Sequence, residues 1–354
     1  MYFQMNKKPK PSFPFSYSTM ETKNPAHIHE TEFIPSRSLV RRVKKHCARY
    51  WWIYLLVSSI CLLNIILCLI YIIMPSMAQQ NIDNSYLLST DMRLEKPTSH
   101  SITLTQTVLL YTKTHFIPVL KPFKASLYIV NNGTYSTVPM STVRFPRIRA
   151  LHPVSSSTIE NVVLEFKNDA SLNEVTKFST LILTQEVVTM VIIGNGKMQL
   201  GALPEINVQY NQSISFRGLN GLQGFNVTDV KVNLKAGVGE PNMSGLAMLY
   251  NPSLLTVEMG NVTFTLSTVT AGVVGTSLIE NMTLRPGNNR FLMKSFVDEK
   301  KIAQSMNAVT GMVTLMIKGN SSIYNGQHLP FYENAFALHQ LVLSLNIPAV
   351  LANV

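Results

Sequence analysis

VTMVIIGNG, residues 188–196, recurs in nearly the same form as VTLMIKGNS at residues 313–321. Both stretches are rich in β-branched and apolar residues and reach a Gly-Asn pair near their end, which is typical of a strand that runs into a turn. Such recurrence predicts a duplicated unit. We therefore interpret residues 80–220 and 225–354 as tandem copies of one β domain.

A short helical pattern precedes the repeated strand in each copy. The apolar residues of segments 173–181 and 298–308 have the spacing of a helix with one buried face. Glu174 lies at the start of the first segment and Asp298 at the start of the second, and acidic side chains favour helix N-termini. The sequence therefore predicts one short helix in each copy.

Other segments alternate between apolar and polar residues, which is the period of a strand with one buried face. Three examples are Ala125/Leu127/Ile129, Val230/Val232/Leu234 and Val262/Phe264/Leu266. Many short strands separated by Gly, Pro and Asn turns favour antiparallel sandwiches. We predict an all-β, fibronectin-like fold of tandem antiparallel β-sandwiches, each with one short helix, preceded by one transmembrane helix.

Two motifs in the second copy carry a resemblance to a known family. The turn Tyr250-Asn251-Pro252-Ser253 and the glycine-punctuated junction at 214–234 resemble fungal single-pass membrane proteins whose lumenal region has late-embryogenesis-abundant type 2 like (LEA-2-like) domains. The resemblance covers roughly residues 80–350. In the first copy the corresponding turn, 131–133, lacks the proline.

The resemblance implies a basic cytosolic tail, one membrane span and a lumenal tandem of β-sandwiches. It also implies a location at the vacuolar membrane or another endomembrane, and one member of the family is linked to ending autophagy. The family offers no catalytic residues that could be assigned to positions in this chain.

The run Trp51–Met74 holds 24 residues without a charged side chain, which is long enough to cross a bilayer. We interpret it as an uncleaved signal anchor, with Pro75 ending its helix. Five basic residues directly precede the run: Arg41, Arg42, Lys44, Lys45 and Arg49. An excess of basic residues on one side of a span predicts that this side faces the cytosol, so we predict a cytosolic N-terminus.

Residues 1–50 are predicted to form a disordered, basic cytosolic tail. Basic side chains beside a span meet anionic lipid headgroups, so we expect the membrane and not nucleic acid to be their partner. Cys47 is a candidate for palmitoylation. All three cysteines lie in or beside the span, so the distal region is expected to fold without disulfides.

Seven Asn-x-Ser/Thr sequons follow the span and none precedes it, which agrees with a lumenal or extracellular β region. We predict N-glycosylation at these positions: Asn132, Asn211, Asn226, Asn242, Asn261, Asn281 and Asn320.

Motifs for catalysis, metal binding or cofactor binding are missing from the sequence, so no catalytic residue, metal ligand or cofactor is predicted. The distal region is rich in methionine, which lines adaptable apolar grooves but also packs ordinary cores. The residues in question are Met190, Met198, Met243, Met248, Met259, Met293, Met306, Met312 and Met316.

These observations predict a non-enzymatic, single-pass endomembrane glycoprotein with a lumenal binding or scaffolding region. The resemblance implies a link to autophagy regulation. The vacuolar membrane is the expected location and the plasma membrane is the alternative. A lumenal lipid-binding or lipid-transfer module is the second hypothesis, and a hydrolase acting on glycans is the third. A continuous apolar cavity larger than packing defects would favour the second hypothesis.

Overall fold

The apolar run lies within a long helical segment. The structure, a computed structural model, describes residues 37–112 and 117–352, with side chains from Lys44 onward. Helix α1 (Arg37–Cys68) continues through a π-helical turn (Leu69–Ile73) into α2 (Met74–Asp83). Within the described residues, the part from Lys44 to Asp83 is long and apolar enough to cross a membrane. The predicted cytosolic tail before residue 37 lies outside the described residues.

The prediction that Pro75 ends the helix is wrong. Pro75 lies in the first turn of α2, directly after the π-helical turn, in which the Met74 N–H donates to the Leu69 carbonyl. A proline has no N–H to donate and crowds the carbonyl four residues earlier, but the wider π turn relieves both problems. The helix therefore continues to Asp83.

The β region contains eighteen strands within the described residues. They are β1 Tyr86–Thr98, β2 Ser101–Tyr111, β3 Val119–Leu120, β4 Phe123–Asn131, β5 Thr134–Tyr135, β6 Ser141–Phe145, β7 Ile148–Arg149, β8 Val154–Glu165, β9 Val187–Gln199, β10 Ile206–Arg217, β11 Asn226–Val232, β12 Met243–Asn251, β13 Leu255–Thr268, β14 Gly272–Leu284, β15 Gly287–Val297, β16 Met312–Tyr324, β17 Gln327–His328 and β18 Gln340–Asn346.

Four further helices and one 3₁₀ turn interrupt the strands. They are α3 Asp169–Thr184, the 3₁₀ turn Asn220–Leu222, α4 Glu299–Ser305, α5 Pro330–Leu338 and α6 Ile347–Leu351. The fold is thus mostly β and has one N-terminal apolar helix that could span a membrane. The predicted fold class is confirmed.

The larger sheet has the strand order β11-β12-β15-β14-β13-β1-β2-β8. Strand β13 is a branch point, because its first residues pair with β1 and its later residues pair with β16, which continues to β17 and β18. The β1–β13 ladder, Met92–Leu94 with Leu255–Val257, is parallel, and the other ladders in this sheet are antiparallel. Strands from both predicted copies therefore share one sheet.

The smaller sheet belongs to the first predicted copy. Strand β9 is central and pairs with β10 on one side and with β4 and β3 on the other. Strands β5 and β6 pair with β4, and β7 pairs with β3. Helix α2 contacts β10: the Gln79 side-chain amide donates to the Gln209 carbonyl over 2.8 Å and accepts from the Gln209 N–H over 2.9 Å. The described residues from Asn64 onward form one compact unit, and the described residues before Asn64 belong to another. The boundary between the two predicted β domains, at residues 220–225, stays a prediction.

Every second residue of the long strands is buried, and these buried side chains form the core. The repeated stretches lie in β9 and β16, and the predicted inward residues of β4 and β13 are buried. Leu234 is an exception: β11 ends at Val232, so Leu234 lies beyond the strand and is exposed. An alternating pattern alone does not mark the residue at which pairing stops.

The two predicted helices exist, but their bounds differ from the prediction. Helix α3 begins at Asp169, before the predicted start at residue 173, because Asn168 and Ser171 form a reciprocal capping box. Asp298 is the N-cap of α4 and accepts from the Lys300 and Lys301 N–H groups. Helix α5 was not predicted; it packs against α3, and the Phe166 and Phe331 ring centroids are 5.7 Å apart.

Candidate functional site

An apolar cavity lies where α4 and α6 cover the ends of β11, β16 and β18. It has a volume of about 430 Å³. Alternate residues of the strands face it because side chains two apart share one face of a strand. We refer to it as the α4–α6 cavity. Its lining consists of Val230, Val232, Leu234, Met243, Val297, Glu299, Ile302, Ala303, Met306, Val313, Leu315, Leu345, Ile347, Pro348, Val350 and Leu351.

The cavity has a closed floor and an accessible mouth. Val313 and Leu315 of β16 are almost completely buried and form part of the floor. At the mouth, Leu234, Met306 and Leu351 expose between a third and two thirds of their surface. A molecule in the cavity would therefore contact the core at one end and solvent at the other.

The short helix α6 is held over the cavity by local contacts. Asn346 is its N-cap and accepts from the Ala349 N–H over 3.0 Å, and the Ile347 N–H donates to the Gly311 carbonyl over 3.1 Å. Gly311 has φ +67°, and a Cβ there would lie 2.6 Å from Cγ of Pro348. Only glycine combines this backbone angle with the close approach of Pro348.

Among the described residues, Glu299 is the one charged residue that lines the α4–α6 cavity, and its carboxylate is at the exposed N-terminus of α4. The Asn242 amide lies 3.4 Å from this carboxylate. The rest of the lining is apolar, so the cavity can bind hydrocarbon but has no set of converging ionisable groups. Within the described residues, no group of three or more His, Cys, Asp or Glu side chains could hold a metal ion.

The other internal cavities are smaller. One of about 70 Å³ lies between the two sheets of the first predicted copy and includes Val108, Met198 and Tyr210 in its lining. Two others have volumes of about 30 and 10 Å³ and are gaps between core side chains. An open polar groove of about 530 Å³ lies beside α4, with Asn233 and Lys301 in its lining. Only the α4–α6 cavity is both large and apolar among those described.

The methionines serve both of the roles that the sequence left open. Met243 and Met306 line the α4–α6 cavity. Met190, Met259 and Met293 are buried in the core. Methionine content alone therefore did not locate the site.

Six of the seven predicted glycosylation sites are exposed. They are Asn132, Asn211, Asn226, Asn261, Asn281 and Asn320. Asn242 is only partly exposed, because its side chain pairs with the backbone of Val297: Nδ2 donates to the carbonyl over 2.8 Å and Oδ1 accepts from the N–H over 2.9 Å. The structure thus separates Asn242 from the other sequons.

The basic cluster before the span lies on α1. Lys44, Lys45 and Arg49 are exposed, as is Cys47. Arg41 and Arg42 belong to the same helix, but their side chains lie outside the described residues. The predictions of lipid headgroup contact and palmitoylation are compatible with this exposure and stay predictions.

Sequence reasoning did not find the α4–α6 cavity. Its lining comes from elements that are distant along the chain, and α6 was not predicted. A signal was present in the segment Asn346–Leu351, where a capping residue and a proline precede apolar residues after the last strand. Such a segment indicates a short helix that needs an apolar surface to cover.

Comparisons with known proteins leave the function open. No curated protein matches the chain. A transglutaminase of red sea bream is similar in structure over 73% of this chain and 31% of its own, with 12% identity and a TM-score of 0.25. An adhesin of Mobiluncus mulieris with intramolecular cross-links is similar over 72% of this chain and 83% of its own, with 10% identity and a TM-score of 0.19. Residues 138–266 match a family described as a protein of unknown function, DUF3712.

Proposed function

We propose that this chain is a non-enzymatic, membrane-anchored protein whose β region binds a lipid-like molecule in the α4–α6 cavity. The observation that carries the proposal is the cavity of about 430 Å³ with an almost wholly apolar lining. This size lies within the range of roughly 300–1,000 Å³ that is common for small-molecule sites. The cavity is also far larger than the packing gaps elsewhere in the core.

The chemistry of the lining favours a hydrocarbon chain as the ligand. Each methylene group removed from water contributes about 0.8 kcal/mol, so even part of an acyl chain would bind usefully. Water is a poor occupant, because a buried water needs two to four polar partners and this lining offers few. Met243 and Met306 can adjust to chains of different shape.

The membrane anchor supports the same proposal, since a protein held at a bilayer has lipid close at hand. We place the N-terminus in the cytosol and the β region in the lumen, at the vacuolar membrane or another endomembrane, with the plasma membrane as the alternative. The exposed bases Lys44, Lys45 and Arg49 support this orientation and would meet anionic lipid headgroups. The link to autophagy regulation rests on the fungal resemblance alone.

Photo-crosslinking tests the ligand. The full-length protein in detergent is incubated with a photoactivatable fatty acid, irradiated and mapped by peptide mass spectrometry. We expect labelled peptides from α4, α6 and the start of β16. Labelling confined to Lys44–Asp83 would contradict the proposal and would favour the scaffolding function expected from the sequence.

Two substitutions on one helix sharpen this experiment. Ala303 lines the cavity, so Ala303→Phe should fill it and reduce labelling at least tenfold. Gln304 is an exposed neighbour on α4 that does not line the cavity, so Gln304→Phe is the matched control and should label normally. Equal labelling in the two variants would show that the fatty acid binds elsewhere.

A further inference from the structure

The α4–α6 cavity adjoins the open polar groove that lies beside α4. Leu234, Val297 and Glu299 line both spaces, so the two spaces meet at these three side chains. We call the second space, which has a volume of about 530 Å³, the α4 groove. An apolar space beside a polar one fits a ligand that has a hydrocarbon part and a polar part.

The volume of the α4–α6 cavity limits the hydrocarbon part to one chain. A methylene group is about as large as a water molecule, which occupies about 30 Å³ in the liquid. The cavity of about 430 Å³ therefore holds one chain of roughly ten to fifteen carbon atoms. A second chain of that length would lie in the α4 groove, where Asn233, Glu240 and Asp298 present polar groups that hydrocarbon does not satisfy.

The register of the larger sheet places the cavity at the end remote from α2. Strand β1 begins directly after α2 and runs parallel to β13, so the last residues of β13 lie at the opposite end of the sheet from α2. The cavity lies at that opposite end, because β16, whose first residues line it, pairs there with Ser267 of β13.

A ligand enters the cavity at this end from water, because the side chains at the mouth are exposed. The cost of moving an amphiphile from lipid into water rises with each methylene group. Amphiphiles with one chain therefore make this transfer far more readily than lipids with two chains. The position of the mouth and the volume of the cavity favour the same class of ligand.

The walls of the α4 groove are ordered by its polar side chains. Asp298 is the N-cap of α4. The Glu240 carboxylate accepts from the Gly237 N–H over 3.1 Å, and the Lys301 ammonium group donates to the Val273 carbonyl over 3.0 Å. An ordered wall loses little conformational entropy when a ligand binds, so the groove is preorganised for a head group.

Glu299 is the charged residue at the boundary between the cavity and the groove. Its carboxylate accepts a long hydrogen bond of 3.4 Å from the Asn242 amide, and the same amide also donates to the Val297 carbonyl over 2.8 Å. An ionised carboxylate only accepts hydrogen bonds and has about four lone-pair sites, so Glu299 has capacity for a further donor. A hydroxyl or ammonium group at the head of the chain supplies that donor.

The charges of the α4 groove disfavour an anionic head group. Among the described residues, three carboxylates and one ammonium group line the groove: those of Glu240, Asp298, Glu299 and Lys301. A sulfate, phosphate or carboxylate head group would add a further negative charge beside three others, and like charges at short range repel.

We propose that the two spaces together bind a single-chain amphiphile whose head group donates a hydrogen bond to Glu299. The hydrocarbon chain fills the α4–α6 cavity, and the uncharged or positively charged head group lies in the α4 groove. This inference rests on the proposed function, since it names the class of ligand that the cavity takes.

Competition in photo-crosslinking tests the head group. The full-length protein is held in phosphatidylcholine nanodiscs, because a detergent is itself a single-chain amphiphile, and the photoactivatable fatty acid is the tracer. Monomyristoylglycerol and tetradecylamine supply the hydroxyl and the ammonium donor. We expect at least one of them to displace the tracer from α4 and α6 at a concentration at least tenfold below that of tetradecyl sulfate, and the better one identifies the donor. Equal displacement by all three would overturn the proposal.

A lipid with two chains tests the limit set by the cavity volume. Dimyristoylglycerol has a hydroxyl head group and two chains of the same length as the one chain of monomyristoylglycerol. We expect it to displace the tracer at a concentration at least tenfold higher than monomyristoylglycerol. Equal displacement by the two lipids would overturn the assignment of a single-chain ligand.

A substitution at Glu299 tests the contact with the head group. Glu299→Leu removes the acceptor and keeps an apolar lining, so the better of the two donor ligands should need at least a tenfold higher concentration to displace the tracer. Labelling by the tracer alone should persist. Glu160→Leu, at an exposed position on β8 that lines neither space, is the control and should leave every concentration unchanged. Unchanged competition in Glu299→Leu would overturn the role of Glu299.

The two proposals fail in different ways. Tracer that labels neither α4 nor α6 would contradict binding in the cavity, and the class of ligand would fall with it. Tracer that labels both helices, with no preference among the head groups, would leave binding in the cavity standing and overturn this inference alone. Ala303→Phe should abolish labelling by the tracer, whereas Glu299→Leu should abolish only the preference among head groups.

Discussion

At the residue scale, Asn251 shows how one side chain can order a turn. It is almost fully buried; its Nδ2 donates to the Leu255 carbonyl over 2.8 Å, and its Oδ1 accepts from the Ser253 N–H over 2.8 Å. The Asn-Pro-Ser motif predicted a turn, and the structure places it between β12 and β13. The first copy uses Asn132 and Gly133 instead, both with positive φ, as a type I′ hairpin requires.

The first prediction concerns this asparagine. Asn251→Ala leaves a buried carbonyl and a buried N–H without partners, so it should lower the free energy of unfolding by about 2 kcal/mol. The measurement is urea unfolding followed by the β signal in circular dichroism, because Trp51 and Trp52 lie in the apolar helix and report poorly on the β region. Asn288→Ala, at an exposed position, is the control. Equal losses in both variants would contradict this role of Asn251.

Two buried tyrosines predict how stability depends on alkaline pH. Burial raises the pKa of Tyr210, and burial together with the nearby Glu258 carboxylate raises the pKa of Tyr332. The folded state thus favours the neutral phenols. The contribution of the two buried phenols to the free energy of unfolding is complete below the ordinary tyrosine pKa of about 10. It is lost as the pH rises above that value.

We therefore expect the free energy of unfolding to fall above about pH 10 and to fall less steeply in the double variant Tyr210→Phe/Tyr332→Phe. The Tyr332 hydroxyl has no hydrogen-bond partner among the described residues, so its removal should cost little at neutral pH. Urea unfolding between pH 8 and pH 11 provides the measurement. Tyr250→Phe, at an exposed position, should leave the pH dependence unchanged. An unaltered slope in the double variant would contradict the assignment.

At the element scale, the sequence predicted what depends on local periodicity. Alternation located β4, β9, β13 and β16, and acidic residues indicated α3 and α4. Local periodicity could not predict that the helix of the apolar run continues past Pro75, because this continuation depends on the π-helical turn before the proline. Helix α5 was missed because its stability comes from buried aromatic contacts, such as that between Phe166 and Phe331, and not from a distinctive local pattern.

Gly311 permits a prediction about the helix that covers the cavity. Gly311→Ala introduces a Cβ that meets Pro348, so α6 should be displaced and its amides should exchange faster with solvent. Gly326→Ala is the matched control, since Gly326 also has positive φ but a Cβ added there would have no neighbour within 4 Å. Hydrogen exchange with mass spectrometry compares the two variants over residues 347–351. Equal exchange there would show that Pro348 accommodates the added methyl group.

At the scale of the whole molecule, strands from the two predicted copies meet in the parallel β1–β13 ladder, and α3 packs against α5. These contacts join residues that are more than a hundred positions apart, so neither could be deduced from one stretch of sequence. The α4–α6 cavity has the same origin, because β11, β16 and β18 come together only in the folded sheet. The strands could be predicted, but the space between them could not.

The orientation of the chain leads to the last prediction. If the β region is lumenal, the six exposed sequons can accept glycans, whereas Asn242 should remain unmodified because its amide is paired with Val297 and lies 3.4 Å from Glu299. Mass spectrometry of tryptic peptides, with and without glycosidase, measures occupancy at each site. Val297 holds Asn242 through backbone groups, so the pairing should persist when nearby side chains change.

The outcomes separate topology from local structure. Glycans at several exposed sequons and none at Asn242 would agree with both the proposed orientation and the observed pairing. A protein that enters the secretory pathway but carries no glycan at any sequon would contradict the lumenal placement, since it implies that the β region faces the cytosol. A glycan at Asn242 would instead show that the contact with Val297 does not prevent modification of this side chain.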